Sequence, residues 1–275
     1  MNKYLIAMDL DGTIIPGLYD VSEYTIKVLK ALNEKGHKIV IATGRPFRSS
    51  YFIYSKAGID APIINYNGQL ITYPGSKDFK SYSSLMDREE LLDIYNHEKD
   101  RFTLFFSEYY DDIYTNYDDE NARVLMHHNE LSRIIVGDLN ETLKTGVHGT
   151  LLLAKKGEGE KIISYVKKKH KNIGARMWNW KEFSEIIELY SLLTTKAQGF
   201  NYVRNYLKID KKYTMACGDS VNDLEIFKEV NIKVVPSNAS DEVKRIADYV
   251  LSASCEEDSV AMFLNDYFKL GVEKR

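Results

Sequence analysis

Two aspartates one residue apart, Asp9 and Asp11, end a short apolar run near the N-terminus. The run, residues 4–8, lacks polar alternation, which is typical of a strand covered on both faces in a parallel sheet. Open α/β sheets bind ligands beyond the carboxyl ends of such strands. Two carboxylates there repel each other and are costly to desolvate, so a cation between them is favoured, and oxygen ligands favour Mg²⁺. A simple turn with Gly12 is the alternative interpretation.

Three later segments also contain residues that could take part in chemistry. Two of them are strand-like runs followed by polar residues, and the third, which lies between these two in the chain, contains a lysine. Thr43-Gly44-Arg45 follows strand-like residues 38–42, and a helix N-cap at Thr43 is the alternative there. Lys196 follows Leu192-Leu193-Thr194-Thr195, although a lone lysine is more often a solvated surface residue. The last segment is a strand that leads into an acidic loop and a helix, Met215-Ala216-Cys217-Gly218-Asp219-Ser220-Val221-Asn222-Asp223.

In this order, the segments resemble the four motifs of the haloacid dehalogenase superfamily. The Asp-Leu-Asp-Gly-Thr segment implies a phosphatase with Asp9 as nucleophile and Asp11 as general acid/base. The resemblance also implies Mg²⁺ held by the Asp9 carboxylate, the Asp11 backbone carbonyl and Asp219. The implied phosphate-binding residues are Thr43, Gly44, Lys196 and Asn222. The implied supporting residues are Asp223, Arg45 and Asn67.

The chemistry of phosphate esters accounts for these residue types. A phosphate monoester repels an attacking anion, so catalysis depends on positioning and charge neutralisation. Attack by Asp9 would give an aspartyl-phosphate and divide one hard step into two. Asp11 would give a proton to the leaving alkoxide and later take one from water, so it should be protonated when substrate binds.

Composition sets limits on partners and location. The 275 residues suffice for one large or two smaller domains, and the net charge of −3 provides no field suited to nucleic acid or an anionic membrane. Two cysteines, Cys217 and Cys255, predict reduced packing residues and no disulfide scaffold. A signal peptide and a membrane span are not predicted, so we expect a cytoplasmic protein, monomeric or homodimeric, that acts on small phosphorylated metabolites.

The order of predicted elements indicates an α/β fold with an insertion. Residues 1–83 and 189–275 read as a Rossmann-like parallel-sheet core, and residues 84–188 read as antiparallel strands with two helices. An α+β insertion after the second motif resembles the type C2B cap of the Cof-type (type IIB) phosphatases. Asn67-Gly68 predicts a hairpin-type turn, and in that group a similar Asn faces the active site.

Two departures from the Cof-type pattern concern the C-terminal region. Pro236-Ser237 stands where Met-Gly is frequent, and Ser259 stands where Gly is usual, so we expect backbone strain at Ser259. Substrate identity is expected to depend on the inserted segment, whose aromatic residues either stack on a ligand or form its core. These aromatic residues are Phe102, Phe105, Phe106, Tyr109, Tyr110, Trp178 and Trp180.

Three functions stay open at this point. The first is a Mg²⁺-dependent phosphatase acting on sugar phosphates or phosphorylated cofactors. The second is a phosphomutase with the same aspartate pair, which would retain phosphate in its product. The third is a protein that binds phosphorylated metabolites without catalysis, which the presence of all motif side chains disfavours.

Overall fold

A computed structural model describes residues 3–17, 19–180 and 183–274 of the chain. It divides into two compact units. The core unit comprises residues 1–45, 49–82 and 195–275, and the inserted unit comprises residues 46–48 and 83–194. The insertion thus ends later than the predicted residue 188, because the last strand of the inserted unit continues to Ser191.

Short strands and helices follow one another along the described chain. The strands of the described residues are β1 (Leu5–Met8), β2 (Lys38–Ile41), β3 (Ile63–Asn65), β4 (Leu70–Thr72), β5 (Tyr82–Ser83), β6 (Phe102–Tyr109), β7 (Asp112–Thr115), β8 (Arg133–Val136), β9 (Gly149–Ala154), β10 (Ile173–Trp180), β11 (Phe183–Ser191), β12 (Thr214–Cys217), β13 (Ile232–Val235) and β14 (Tyr249–Val250). The α-helices are α1 (Glu23–Glu34), α2 (Phe47–Lys56), α3 (Arg88–Glu98), α4 (Glu120–Leu125), α5 (Leu139–Thr142), α6 (Gly159–Lys169), α7 (Lys196–Leu207), α8 (Leu224–Glu229), α9 (Asp241–Lys244) and α10 (Ser259–Tyr267).

A five-stranded parallel sheet forms the centre of the core unit, in the order β14-β13-β12-β1-β2. All four residues of β1 are buried, as expected for a central strand covered on both faces. Met8 pairs with Cys217 and Ile41, so β1, β12 and β2 end side by side. The residues that follow these strands therefore meet at one edge of the sheet. The predicted α/β fold class is confirmed.

Local sequence signals account for several core elements. Ser22 caps α1 by accepting a hydrogen bond from the Thr25 amide, and Gly36, just after the helix, has a φ of +82°. The Asn67-Gly68 turn joins β3 and β4, which pair antiparallel. Asn67 has a φ of +53°, in the left-handed region that asparagine tolerates.

A six-stranded mixed sheet forms the inserted unit, in the order β10-β11-β9-β6-β7-β8. Only β7 and β8 pair in parallel among its described strands. Helices α3, α5 and α6 cover one face of this sheet, where they pack on Phe105, Leu152 and Leu189. On the other face, α4 packs on Phe106 and Ile113.

The aromatic residues of the insertion take different roles. Phe102, Phe105 and Phe106 are buried in the two apolar cores, which favours the structural interpretation for them. Trp178 is exposed, and the side chain of Trp180 lies outside the described part.

The C-terminal departures from the Cof-type pattern fit the backbone without strain at Ser259. Ser259 is the first residue of α10, and the left-handed residue is Asp258, with a φ of +61°. Asp258 accepts hydrogen bonds from Ser22 at 2.6 Å and from Thr25 at 3.1 Å. The expectation of strain at Ser259 is wrong, because the unusual conformation falls one residue earlier, on an aspartate that tolerates it.

Two further observations bear on the sequence expectations. Cys217 and Cys255 are both free and buried, as predicted. Within the described ranges, no helix is both long and apolar enough to cross a bilayer.

A buried histidine lies directly before β9 in the inserted unit. His148 is 1% exposed. Its Nδ1 accepts a hydrogen bond from the Tyr110 amide at 3.1 Å, and its Nε2 lies 2.9 Å from the Ser83 hydroxyl. An accepting Nδ1 requires the neutral ring. Burial lowers the pKa of His148 to about 4.

We predict that His148 makes the protein sensitive to acid. The unfolded residue takes up a proton near pH 6.5, whereas the folded residue does so only near its lowered pKa. Between these two pH values the unfolded protein binds a proton that the folded protein does not bind. The free energy of unfolding therefore falls by about 3 kcal/mol as the pH is lowered through this range. Urea unfolding followed by circular dichroism should show His148→Gln losing less stability than the wild type between about pH 7.5 and 4.5.

The exposed His128 offers the control. His128→Gln should keep the pH dependence of the wild type. An equal loss of stability on acidification in His148→Gln and wild type would contradict the prediction.

Candidate active site

The acidic residues of the first and fourth motifs follow adjacent strands. Asp9 comes directly after β1, and Asp219 comes two residues after β12. The Asp9 amide donates to the Cys217 carbonyl at 3.0 Å, which continues the pairing of the two strands past their ends. Carboxylate oxygens of Asp9, Asp219 and Asp223 all lie within 4.8 Å of one another. Parallel pairing thus brings together aspartates that are far apart in the sequence.

Lys196 lies between two of these carboxylates. Its Nζ donates to Asp9 at 2.5 Å and to Asp223 at 2.8 Å, and its side chain is 1% exposed. Lys196 is the first residue of α7, whose N-terminus carries a capping box between Thr195 and Gln198. The cap fixes where the helix begins and therefore where the lysine enters the site. The interpretation of Lys196 as a solvated surface residue is wrong.

Asp223 is held on both of its oxygens. Oδ1 accepts from Lys196, and Oδ2 accepts from the amides of Asp219 and Ser220 at 3.1 and 3.2 Å. A carboxylate with this many donors is positioned by the protein and orients what it contacts. The supporting role of Asp223 stays a prediction, and Asp223 also lies close enough to Asp9 and Asp219 to approach a cation.

The site has more negative than positive charge. Burial raises the pKa of Asp9 well above its ordinary value, and although Lys196 opposes this rise, nearby carboxylates add to it. Burial, and then the Asp223 carboxylate, raise the pKa of Asp219 to about 6. Burial alone would lower the pKa of Lys196, but Asp223 and Asp9 outweigh it and raise that pKa. One ammonium cannot neutralise three carboxylates, so the charge of the site favours a further cation.

These residues fit a divalent hard cation. The donor set is made of carboxylate oxygens, which suit Mg²⁺, and their mutual repulsion is relieved when a cation binds between them. The contacts favour Asp9 and Asp219 as ligands, because both Asp223 oxygens accept from Lys196 or from amides, whereas Lys196 contacts only Oδ1 of Asp9.

Asp11 has a different environment from Asp9. Arg45 donates to both Asp11 oxygens, at 2.8 and 2.5 Å, in a bidentate ion pair. The Arg45 side chain is only 4% exposed, whereas that of Asp11 is 59% exposed. Arg45 also donates to the carbonyls of Gly17 and Ser49 at 3.3 and 3.2 Å. Arg45 of the second motif thus positions Asp11 of the first motif.

The remaining predicted residues form a second group in the core unit. Thr43 is fully buried, and its hydroxyl accepts from the Arg45 amide at 3.1 Å. Asn222 donates through Nδ2 to Asn67 Oδ1 at 3.3 Å. A Cβ added at Gly44 would lie 3.3 Å from the Asn67 amide nitrogen, so these residues are in close contact. Asn67 therefore shapes the turn and also lies beside two of the predicted phosphate-binding residues.

Two glycines make room for the aspartates. A Cβ at Gly12 would lie 2.4 Å from an Asp219 oxygen, and Gly12 has a φ of +72°. A Cβ at Gly218 would lie 2.6 Å from Asp223. Any side chain at either position would displace a carboxylate of the site.

Sequence reasoning left out two residues that position this site. The Thr13 hydroxyl donates to Asp219 at 3.0 Å, although the motif that contains Thr13 suggested no role for it. Asn238 donates to the Gly12 carbonyl at 2.7 Å and accepts from the Cys255 amide at 2.9 Å. A signal for Asn238 was its position directly after Pro236-Ser237, because in the Cof-type pattern Asn-Ala follows the Met-Gly that Pro236-Ser237 replaces.

Comparison with known proteins identifies the family. The family model of haloacid dehalogenase-like hydrolases matches residues 6–264. The chain belongs to this family. It is 33% identical over 276 residues to the 5-amino-6-(5-phospho-D-ribitylamino)uracil phosphatase YitU of Bacillus subtilis, a match that covers 97% of this chain and 98% of that protein. It is 24% identical over 268 residues to the HMP-PP phosphatase of Serratia proteamaculans, covering 95% and 96% of the two chains.

Solved structures support the same fold. A haloacid dehalogenase-like hydrolase from Bacteroides thetaiotaomicron superposes with a TM-score of 0.82 at 22% identity, covering 97% of this chain and all of that one. The HAD subclass IIB sugar phosphatase BT4131 gives a TM-score of 0.76 at 21% identity, with 98% and 100% covered. The predicted resemblance to Cof-type phosphatases is confirmed, and the chain is a phosphatase.

We predict that Lys196→Met destabilises the fold, because it leaves buried carboxylates without their ammonium partner. The expected loss is about 3–5 kcal/mol at neutral pH. Without Lys196 the folded carboxylates have still higher pKa values, so they are protonated as the pH falls and the penalty shrinks. Urea unfolding at several pH values measures both effects.

Lys228→Met, at an exposed position of α8, is the matched control and should be close to wild type. A Lys196→Met protein as stable as this control at neutral pH would show that the ion pairs do not stabilise the core unit.

Proposed function

We propose that this phosphatase is a Mg²⁺-dependent phosphomonoester hydrolase that acts on small phosphorylated metabolites through an aspartyl-phosphate on Asp9. The observation that supports this most is the position of Lys196 Nζ, which contacts both Asp9 and Asp223 beside Asp219. One ammonium and a set of converging carboxylates can orient a nucleophilic oxygen and offset the charge of an incoming phosphoryl group.

Bound Mg²⁺ would supply positive charge for the nucleophile and the phosphoryl oxygens, held by Asp9, the Asp11 backbone carbonyl and Asp219. Asp9 attacks phosphorus with one carboxylate oxygen while Lys196 holds the other. Lys196, Thr43, the Gly44 amide and Asn222 bind the phosphoryl oxygens. Asp223 orients Lys196.

Asp11 acts as the general acid and then as the general base. Its side chain is much more exposed than that of Asp9, so it can reach a leaving group and later a water molecule. The bidentate contact with Arg45 holds the Asp11 carboxylate in place. Proton donation requires Asp11 to leave this contact or to share it with the substrate.

The substrate class follows from named relatives. The curated relatives of this chain include phosphatases named for a phosphoribitylamino-uracil and for HMP-PP, and a structural neighbour is titled a sugar phosphatase. We therefore propose sugar phosphates, polyol phosphates and phosphorylated cofactor intermediates as the first compounds to test.

Replacement of the nucleophile provides the first test. Asp9→Asn should lower Mg²⁺-dependent phosphate release from this panel by at least about 10⁴-fold, because the amide cannot attack phosphorus. Phosphate release is measured with and without Mg²⁺, and circular dichroism checks the fold.

Asp266→Asn, at an exposed position of α10, is the control and should retain full activity. Substantial release by Asp9→Asn would remove Asp9 as nucleophile. Phosphate retained in an organic product, together with a requirement for a bisphosphate activator, would indicate a phosphomutase instead.

Replacement of the acid/base separates the two half-reactions. With p-nitrophenyl phosphate, whose leaving group needs no proton, Asp11→Asn should release about one p-nitrophenolate per active site in a burst. The later steady state should be slower than wild type by about 10²–10⁴-fold, because water is no longer deprotonated. Rapid-mixing absorbance measures both phases, and Asp9→Asn should show no burst.

A steady state as fast as wild type in Asp11→Asn would exclude Asp11 as the base. A slow steady state without a burst would indicate that its loss impairs the first step even for this leaving group.

A further inference from the structure

The turn between β3 and β4 in the core unit has an unusual backbone. Asn65 pairs with Leu70, so residues 66–69 connect the strands. Three successive residues of this connection have left-handed φ values, +49° at Tyr66, +53° at Asn67 and +104° at Gly68. A two-residue hairpin turn needs at most two such residues, and a bulky side chain rarely adopts a positive φ. Reversal of the chain alone therefore does not require this costly conformation.

Hydrogen bonds to the second motif hold the turn in place. The Asn67 amide donates to the Thr43 carbonyl at 3.0 Å, and the Tyr66 amide donates to the Arg45 carbonyl at 3.3 Å. The side-chain amide of Asn65 also donates to the Arg45 carbonyl, at 3.0 Å. Strained backbone persists where surrounding contacts fix it, and such strain is concentrated at functional sites. The turn is thus fixed to the segment that carries Thr43 and Arg45.

Gly68 lies against the start of α7. A Cβ added at Gly68 would lie 2.2 Å from the carbonyl oxygen of Thr195, 2.7 Å from its carbonyl carbon and 3.4 Å from the Lys196 amide nitrogen. Cβ atoms essentially never come within 3.0 Å of such atoms. All three partners are backbone atoms, so none of them can rotate away as a side chain can. Only glycine at position 68 permits this approach.

A second glycine brings α7 onto the same hairpin. A Cβ added at Gly199 would lie 2.9 Å from Ile64 of β3 and 3.5 Å from Ile71 of β4. The helix and the hairpin therefore approach each other closely at Thr195 and again at Gly199, about one helical turn later. Lys196 lies between these two points and is 1% exposed. The hairpin thus determines how far the start of α7 enters the site.

We propose that the turn at residues 66–68 sets the position of the Lys196 ammonium, and that Gly68 is a positioning residue for phosphoryl transfer. The inference rests on the proposed function, in which Lys196 holds an oxygen of Asp9 and binds phosphoryl oxygens. Lys196 Nζ lies 2.5 Å from Asp9 and 2.8 Å from Asp223. A misplacement of about 1 Å weakens such contacts and can lower a reaction rate by about 10²-fold.

Gly68→Ala tests this inference, with Gly75→Ala as the matched control. Gly75 also has a left-handed φ, +84°, but a Cβ there would meet no atom within 4 Å. Both variants place an alanine in an unfavourable conformation, and only Gly68→Ala displaces α7. We expect kcat/KM for p-nitrophenyl phosphate to fall by about 10²-fold in Gly68→Ala and by less than about twofold in Gly75→Ala. Circular dichroism checks that both variants are folded.

A double-mutant cycle with Lys196→Met separates positioning from general damage to the fold. If Gly68 acts through Lys196, Gly68→Ala should lower kcat/KM by less than about threefold once the ammonium has been removed. An equal loss with and without Lys196 would show that Gly68 acts on the fold alone, and would overturn the inference.

The position of Lys196 can also be measured without an activity assay. A crystal structure of Gly68→Ala should show the distance from Lys196 Nζ to Asp9 lengthened by about 1 Å, because the added Cβ must move away from the Thr195 carbonyl. Gly75→Ala should keep the wild-type distance. An unchanged distance in Gly68→Ala would overturn the inference. Gly199→Ala, which meets only the flexible side chains of two isoleucines, provides a milder displacement of α7 if Gly68→Ala does not fold.

The outcomes separate this inference from the proposed function. Asp9-dependent phosphate release by the wild type, together with equal activity of Gly68→Ala and Gly75→Ala, overturns the inference and leaves the proposed function intact. If no compound gives Asp9-dependent release, the proposed function fails. The distance from Lys196 to Asp9 in the two glycine variants then decides by itself whether the turn positions the ammonium.

Discussion

The contact of Lys196 with Asp9 and Asp223 is the interaction on which the candidate site depends. It joins Lys196 to Asp9, 187 positions apart in the chain, and is buried. A buried lysine without partners would be costly, and so would these carboxylates without a cation. The lysine and the carboxylates each lower the cost of burying the other. This contact therefore links α7 to the ends of β1 and β12. The same contact orients an oxygen of Asp9, so stability and chemistry depend on one group.

The parallel sheet provides the positions at which this contact can form. Its strands are short and fully buried at the centre, and their carboxyl ends coincide because Met8 pairs with both Cys217 and Ile41. Gly12 and Gly218 then allow the chain to turn close to the carboxylates without a Cβ in the way. A larger residue at either position would move an aspartate, so the backbone of these turns is part of the site.

Elements whose position depends on a local sequence pattern could be predicted from the sequence. Elements that depend on pairing with distant strands could not. The sequence predicts a helix over residues 196–207 and a strand over residues 232–235, and α7 and β13 occur at these bounds. Strand β8 was not predicted, since it is an edge strand whose ends are exposed and which carries little alternation. Strand β11 was not predicted either, and it contains charged residues that only its pairing partners explain.

The candidate site shows the same division. The resemblance of the motifs to those of the family implied that Asp9, Lys196, Asp219 and Asp223 meet, and the pairing of β1 with β12 brings the first and fourth motifs together. The contact of Arg45 with Asp11 and that of Asn238 with Gly12 depend on loop conformations. No spacing in the sequence encodes such conformations, so the structure was needed to show which residue contacts which.

The two aspartates of the first motif differ in surroundings although only one residue separates them. The Asp9 side chain is 9% exposed and contacts an ammonium, whereas the Asp11 side chain is 59% exposed and contacts a guanidinium. A buried carboxylate fixed by a lysine suits attack on a group that is held in place. An exposed carboxylate can exchange protons with a leaving group and with water. Where two neighbouring carboxylates take different roles, their environments separate them. The asymmetry around Lys196 and Arg45 therefore supports the roles that we propose. It arises because Asp9 contacts the first residue of α7, whereas Asp11 contacts Arg45 in the loop between β2 and α2.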